Sequence, residues 1–157
     1  MLILGIDPGL VNCGIAIIEN GHLIDARVAP PFKDVELFTE WLAVILKEGC
    51  YGLLAVEDWI YRGQSKGNSA ILVPKMVGII MGMSRGLDIP CITLNTNTWK
   101  KALTNEAHPS DDQIRKWVEQ TLNYKFRICK TKKEAAYFHH AIEAAAIALV
   151  GERRLKK

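Results

Sequence analysis

Residues of the types that hold divalent metal ions lie far apart in this chain. Asp7 ends the apolar run at 2–6, Glu57 ends a second apolar run, and His139, His140 and Glu143 lie in an alanine-rich segment further on. A carboxylate at the end of a buried strand carries a desolvation cost that a metal ion offsets. Mg²⁺ prefers carboxylate oxygens and keeps water and phosphate oxygens in its remaining positions. The sequence therefore predicts a carboxylate-rich metal site, provided that the fold brings these residues together.

The histidine of this set is ambiguous. His139 and His140 lie four and three residues before Glu143, and both spacings put the side chain on the helix face of Glu143. Spacing alone does not choose between them. A lone histidine beside a helix is usually structural, but two adjacent histidines one turn from a glutamate favour a functional role. Asp58 alternates to the opposite strand face from Glu57 and is a weaker candidate ligand.

The charge of the chain is unevenly distributed. Residues 1–58 contain three basic and nine acidic residues, whereas residues 59–157 contain seventeen basic and eight acidic residues. Basic stretches lie at Lys125–Lys133 and Arg153–Lys157. A one-sided basic surface is typical of proteins that bind DNA or RNA, although a solvated surface with a basic tail explains the same counts. A nucleic acid is the favoured partner.

Composition narrows the class of protein. A length of 157 residues, with 49% hydrophobic and 24% charged residues, predicts one globular domain over residues 1–157. No apolar run reaches the roughly 20 residues of a membrane span, and the N-terminal sequence lacks the basic segment and cleavage signal of a signal peptide. Four widely spaced cysteines without a CxxC pair favour reduced thiols. We therefore expect a cytoplasmic protein without membrane contact.

Turn formers and hydrophobic periodicity predict the elements that position the candidate ligands. Hairpin-linked strands are predicted at Leu2–Asp7, Cys13–Glu19 and His22–Ala29, followed by a helix at Asp34–Lys47 and a buried strand at Gly52–Trp59. Further on we expect a helix at Ser69–Arg85, a strand at Ile89–Leu94, and helices at Thr98–Leu103, from about Ser110 to Leu122 and at Glu134–Val150. This order predicts an α/β fold, a ribonuclease H-like mixed five-stranded sheet with helices on both faces. The first strand is central there and pairs with the fourth.

Glycines recur every four residues in the predicted helix 69–85 and just beyond it. Gly78, Gly82 and Gly86 therefore line up on one helix face. Glycine weakens a helix, so another helix or backbone is expected to approach this face closely. The approaching group is either the domain's own sheet or a second subunit.

Three motifs together resemble the RuvC-type Holliday junction resolvases. They are Gly5-Ile6-Asp7-Pro8-Gly9 with Gly14, Val56-Glu57 after a buried strand, and HHAIEAAAIAL at 139–149. The resemblance spans nearly the whole chain in the same order. It implies a homodimer that hydrolyses phosphodiesters of four-way junctions, and of other branched DNA, in recombination and repair. It also implies two Mg²⁺ ions per active site, with Mn²⁺ as a substitute.

The family motifs assign roles to particular residues. Asp7, Glu57, His140 and Glu143 match the catalytic acids, although many members have aspartates at the last two positions. Trp59 and Tyr61 are the candidates for an aromatic wedge that stacks on unpaired bases, and Lys100 resembles a basic residue beside the scissile phosphate. The other implied DNA contacts are Arg62, Lys66, Lys101, Lys125, Arg127, Lys130, Lys132 and Lys133, and Gly78 and Gly82 are the implied dimer contacts. Asp111-Asp112 replace a further basic residue of the family, so that phosphate contact is lost or moved.

Three other interpretations share parts of this pattern. A YqgF-like ribonuclease has the same GIDPG start and acts on structured RNA. Actin-like proteins also begin with Asp-x-Gly, but they need a longer chain for two lobes. A non-catalytic DNA-binding module would use the acids structurally. The glycine-bearing helix and the His/Glu pair of the last helix favour the resolvase.

Overall fold

The computed structural model describes residues 1–58, 69–106 and 108–156. The strands are β1 (Leu2–Asp7), β2 (Gly14–Glu19), β3 (His22–Val28), β4 (Tyr51–Asp58) and β5 (Cys91–Asn95). The helices are α1 (Val35–Glu48), α2 (Ser69–Gly86), α3 (Thr96–Thr104), α4 (Asp111–Leu122) and α5 (Lys132–Leu155). The order of these elements agrees with the sequence prediction. The largest difference is α5, which ends at Leu155, five residues later than predicted, and begins two residues earlier, where Thr131 caps it by accepting a hydrogen bond from the Glu134 amide.

The strands form a mixed sheet in the order β3-β2-β1-β4-β5. The β1 strand is central, antiparallel to β2 and parallel to β4, and β4 is parallel to β5. The chain reverses between β2 and β3 at Asn20-Gly21, where both residues have a positive φ, as a two-residue hairpin turn requires. The predicted ribonuclease H-like α/β fold is confirmed. The carboxyl ends of β1 and β4 consequently lie side by side.

Helices cover both faces of the sheet. The α3, α4 and α5 helices pack on one face, and α1 and α2 pack on the other. Along β4, Ala55 belongs to the α5-side core and Val56 belongs to the α1-side core. Because strand side chains alternate, Glu57 falls on the α5 side and Asp58 on the opposite side. No helix in the described ranges is long and apolar enough to cross a membrane.

The α5 helix lies unusually close to the two central strands. A Cβ atom at Gly14 would collide with the carbonyl oxygen of His140, and one at Gly5 would collide with the carbonyl oxygen of Ala144 and lie 2.8 Å from Ala148 Cβ. Only glycine in the strands and small residues in the helix allow this approach. This close packing of α5 on the sheet fixes how far His140 lies from the end of β1. The packing of the helix therefore determines where the candidate ligands lie.

Gly14→Ala is expected to destabilise the protein by about 1–3 kcal/mol, since the added methyl group pushes α5 away from the sheet. Urea unfolding followed by circular dichroism measures the change. Gly86→Ala is the matched control, because a Cβ there meets nothing within 4 Å and the substitution is expected to be neutral or slightly stabilising. Equal unfolding free energies for the two variants would contradict the close contact.

Candidate active site

Three of the four candidate ligands converge where α5 crosses the end of β1. Asp7 is 5% exposed, and His140 and Glu143 approach it from one turn of α5. One ligand atom of each residue lies within 4.8 Å of the others. The His140 Nδ1 atom lies 2.6 Å from Asp7 Oδ2. Of the two adjacent histidines, His140 therefore faces Asp7, a choice that spacing along the helix left open.

Glu57 lies beside this cluster without joining it. Its Oε1 atom accepts a 2.9 Å hydrogen bond from the indole nitrogen of Trp99. Trp99 is fully buried in α3, so this contact fixes one oxygen of the carboxylate. Glu57 is still near enough to Asp7 for its charge to raise the Asp7 pKa. The sequence does not predict that Trp99 binds Glu57, because a lone tryptophan on an amphipathic helix indicates only a core position.

Opposing effects set the charge of Glu143. The Lys100 ammonium lies 2.8 Å from Glu143 Oε1, and His139 Nε2 lies 3.5 Å from the same oxygen. Burial by itself would raise the pKa of Glu143, but the contacts with His139 and Lys100 outweigh it and lower the pKa to about 2. Burial by itself would lower the pKa of Lys100, but the contact with Glu143 outweighs burial, and the net effect is a raised pKa. Glu143 is thus ionised at neutral pH.

A hydrogen bond joins Asp7 and His140, and the pKa of each group is raised. Burial raises the pKa of Asp7 to about 8, and the negative charges of Glu57 and Glu143 act in the same direction, against the bond to His140. The hydrogen bond to Asp7 in turn raises the pKa of His140. A carboxyl group that retains its proton at pH 7 has too little positive charge around it. A cation at this place would replace the proton.

The donor set fits a divalent cation. Two carboxylates and one imidazole converge, and the buried Asp7 lacks a full compensating positive charge. Carboxylate oxygens suit Mg²⁺ and Mn²⁺, whereas imidazole nitrogen suits transition metals better than Mg²⁺. Asp7, His140 and Glu143 would therefore hold such an ion.

The candidate DNA-binding residues fall into two groups. Trp59, Tyr61, Arg62 and Lys66 lie outside the described residues. Of the others, Lys100 pairs with Glu143, Lys125 pairs with Glu119 and Arg127 pairs with Glu134, while Lys101, Lys130, Lys132 and Lys133 are exposed. Lys132 and Lys133 belong to the first turn of α5 rather than to the expected basic loop. Their contacts with DNA stay predictions.

The glycine face of α2 is open. A Cβ atom at Gly78, Gly82 or Gly86 would meet nothing within 4 Å among the described residues, and all three residues are exposed. The domain's own sheet is therefore not the group that approaches this face, and that alternative was wrong. The buried residues Met76, Val77 and Ile80 pack toward the sheet instead. A second subunit stays the predicted partner of the glycine face.

Known proteins resemble the chain in sequence and in fold. No protein-family model matches it. The crossover junction endodeoxyribonuclease RuvC of Bifidobacterium longum (strain DJO10A) is 29% identical over 133 residues, which cover 78% of this chain and 68% of the relative. RuvC of Carboxydothermus hydrogenoformans is 28% identical, over 80% of this chain and 84% of the relative. T. thermophilus RuvC, solved in complex with a Holliday junction substrate, superposes with a TM-score of 0.77 at 20% identity, over 99% of this chain and 96% of that one.

The sheet topology and the carboxylate-histidine cluster define the class, a ribonuclease H-like protein with a candidate metal site on its central strand. Within this class, the chain is similar to the RuvC-type resolvases in sequence as well as in fold. The resemblance seen in the sequence motifs is confirmed.

Asp7→Asn is expected to stabilise the metal-free protein increasingly as the pH rises from 5 to 8. The pKa of Asp7 is raised from 3.8 to about 8 by folding, so the folded state holds a proton that the unfolded state has lost. Wild-type stability therefore falls as the pH rises across this window, and asparagine does not titrate. Differential scanning calorimetry in EDTA measures the difference in Tm between the two proteins.

Added Mn²⁺ should raise the Tm of the wild type at pH 8 much more than that of Asp7→Asn, because a ligand that binds only the folded state stabilises it. A difference in Tm between the two proteins that is independent of pH would contradict the raised pKa of Asp7.

Proposed function

We propose that the protein is a metal-dependent, structure-selective endonuclease that hydrolyses phosphodiesters at four-way DNA junctions. The observation that carries this proposal is the convergence of Asp7, His140 and Glu143 at the carboxyl end of the central strand. The neighbouring Lys100 adds a cation beside the same site. The sequence relatives are crossover junction endodeoxyribonucleases, and the superposed T. thermophilus protein was solved with a Holliday junction.

The residues of the site suggest how cleavage would proceed. Asp7, His140 and Glu143 would hold the divalent ion, which lowers the pKa of a water molecule and stabilises charge on the phosphate. His140 would ligate the ion or polarise the attacking water. The water oxygen would attack phosphorus in line and lose a proton to solvent, while the bond from phosphorus to the 3′ oxygen would break and the 3′ oxygen would take up a proton from solvent. Lys100 would contact the phosphate through the ammonium donors that Glu143 leaves free.

Two ions per site are part of the proposal, with Mg²⁺ or Mn²⁺ as the metal. Asp7 would serve as a ligand at both positions, and Glu57 would complete the second position. Trp99 holds Glu57 Oε1, so the other oxygen of Glu57 is the one available to a metal. The imidazole of His140 supports Mn²⁺ as the more effective ion.

A homodimer is proposed through the open glycine face of α2. A dimer presents two sites to the two strands that a junction resolvase must cut. Exposed Met81 adds apolar surface beside Gly78 and Gly82 on the same helix. The exposed basic residues near α5, together with those at 59–68, would then bind the DNA arms in the cytoplasm.

Asp7→Asn is expected to abolish cleavage of a labelled four-way junction in Mg²⁺ or Mn²⁺, by at least about a hundredfold, while junction binding is retained. Gel assays of cleavage and of binding in EDTA measure the two effects. The control is Glu40→Gln, a substitution at an exposed residue of α1, and this variant is expected to cleave the junction as fast as the wild type. Retained cleavage by Asp7→Asn would refute the assignment of the site.

A substrate panel decides between the proposed function and its alternatives. Four-way junction, three-way junction, duplex DNA and an RNA hairpin are offered with each metal. Preferred cleavage of the four-way junction is expected. Preferred cleavage of the hairpin would favour the YqgF-like ribonuclease, and no metal-dependent cleavage of any substrate would favour a DNA-binding module.

The double variant Gly78→Lys/Gly82→Lys is expected to be monomeric, because two charged side chains would be buried at the proposed interface without partners. Sedimentation velocity measures the mass. Thermal unfolding serves as the fold control and should change little, since neither position contacts the rest of the described chain. A dimer of unchanged affinity would exclude this face as the interface.

A further inference from the structure

His139 lies against the proposed metal ligands without being one of them. Its Nε2 atom is 3.5 Å from Glu143 Oε1 and 3.2 Å from Asp111 Oδ1, at the first turn of α4. The side chain is 13% exposed, and Nε2 itself is buried. Among the described residues, that atom makes no hydrogen bond of good geometry. Its position between two carboxylates is therefore not explained by an ordinary structural hydrogen bond.

The two oxygens of Glu143 have different surroundings. Lys100 and His139 both contact Oε1, whereas Oε2 takes part in no hydrogen bond or ion pair with the described residues. A carboxylate whose one oxygen is held presents its other oxygen in a fixed direction. Partners of this kind orient the ligands of a metal, and their loss typically costs metal affinity.

Lys100 alone is a poor anchor for this purpose. In the proposed reaction its ammonium also contacts the substrate phosphate, and a lysine side chain is long and flexible. His139 is on the same helix as Glu143, one turn away, and its Nε2 atom, the one near Glu143, also lies 3.2 Å from Asp111 Oδ1. The ring is therefore placed by the helix, independently of any contact between Lys100 and the DNA.

We propose that His139 is a positioning residue, whose Nε2 atom faces Oε1 of Glu143 so that Oε2 faces the metal, and that Asp111, which lies against the same Nε2 atom, helps to keep the ring at this place. The same arrangement gives a function to the acidic start of α4, where the resolvase family has a basic residue. The contact with α4 thus serves metal binding rather than phosphate binding. The kinetic part of this inference rests on the proposed function, but the metal-binding part does not.

Mn²⁺ binding to the purified protein, measured by electron paramagnetic resonance without DNA, tests the proposal. His139→Ala is expected to weaken Mn²⁺ binding about 10–100-fold. His139→Gln should restore most of the affinity, because its amide nitrogen reaches the position of Nε2. His139→Asn should not restore it, since its shorter amide corresponds to the other ring nitrogen. His108→Ala, at an exposed histidine, is the matched control with wild-type affinity.

Asp111 is tested by a double-mutant cycle. Asp111→Ala should weaken Mn²⁺ binding less than His139→Ala, and the double variant should bind no worse than His139→Ala alone, because Asp111 acts through the histidine. Additive losses would overturn the part assigned to Asp111. Thermal unfolding of every variant in EDTA reports on the fold.

Junction cleavage gives an independent readout. His139→Ala should cleave slowly at low Mn²⁺ and recover at saturating Mn²⁺, with an unchanged KM for the junction. Wild-type Mn²⁺ affinity in His139→Ala would overturn the proposal. Equally weak Mn²⁺ binding by His139→Gln and His139→Asn would also overturn it, because it would indicate that His139 only fills space. If the wild type cleaves no junction, the proposed function fails while the binding data still decide the role of His139.

Discussion

The close packing of α5 on β1 and β2 is the constraint on which the rest of the structure depends. Backbone of the helix lies where any side chain at Gly5 or Gly14 would be, and the contact includes the carbonyl oxygen of His140. Packing this tight leaves little freedom for the residues that follow on the helix. The imidazole of His140 and the carboxylate of Glu143 are consequently held over the buried end of β1, where Asp7 lies.

This geometry leaves an electrostatic imbalance. Three carboxylates, those of Asp7, Glu57 and Glu143, face one small region, and Lys100 neutralises chiefly Glu143. Burial and the neighbouring carboxylates raise the pKa of Asp7, and the hydrogen bond to Asp7 raises the pKa of His140, so a proton offsets part of the remaining charge. A divalent cation carries more positive charge than a proton, so it would neutralise the carboxylates of this site more completely. Stability is lost at this place for a binding function, as is common at functional sites.

Much of the fold followed from local patterns. Turn formers around Asn20-Gly21 and the helical periodicity of 34–47 predicted the correct elements, because both signals depend only on neighbouring residues. The pairing of β1 with β4 followed from the crossover helix. Asp7 and Glu143 were also predicted to be neighbours from the strand end and the helix face, whereas His140 was matched only by the family motif. Whether the glycine face of α2 packs on the sheet or stays open was undecided from the sequence, because exposure depends on what the rest of the chain covers.

The sequence by itself determined the types of residue available for chemistry, the order of the elements and the uneven distribution of charge. Only the tertiary structure decided which histidine faces Asp7, because both lie on the helix face of Glu143 and the rotation of α5 on the sheet selects one. It also decided that Trp99 holds Glu57 and that Asp111 contacts His139. These contacts join residues 42 and 28 positions apart, and such pairs are set by the packing of helices rather than by any local pattern.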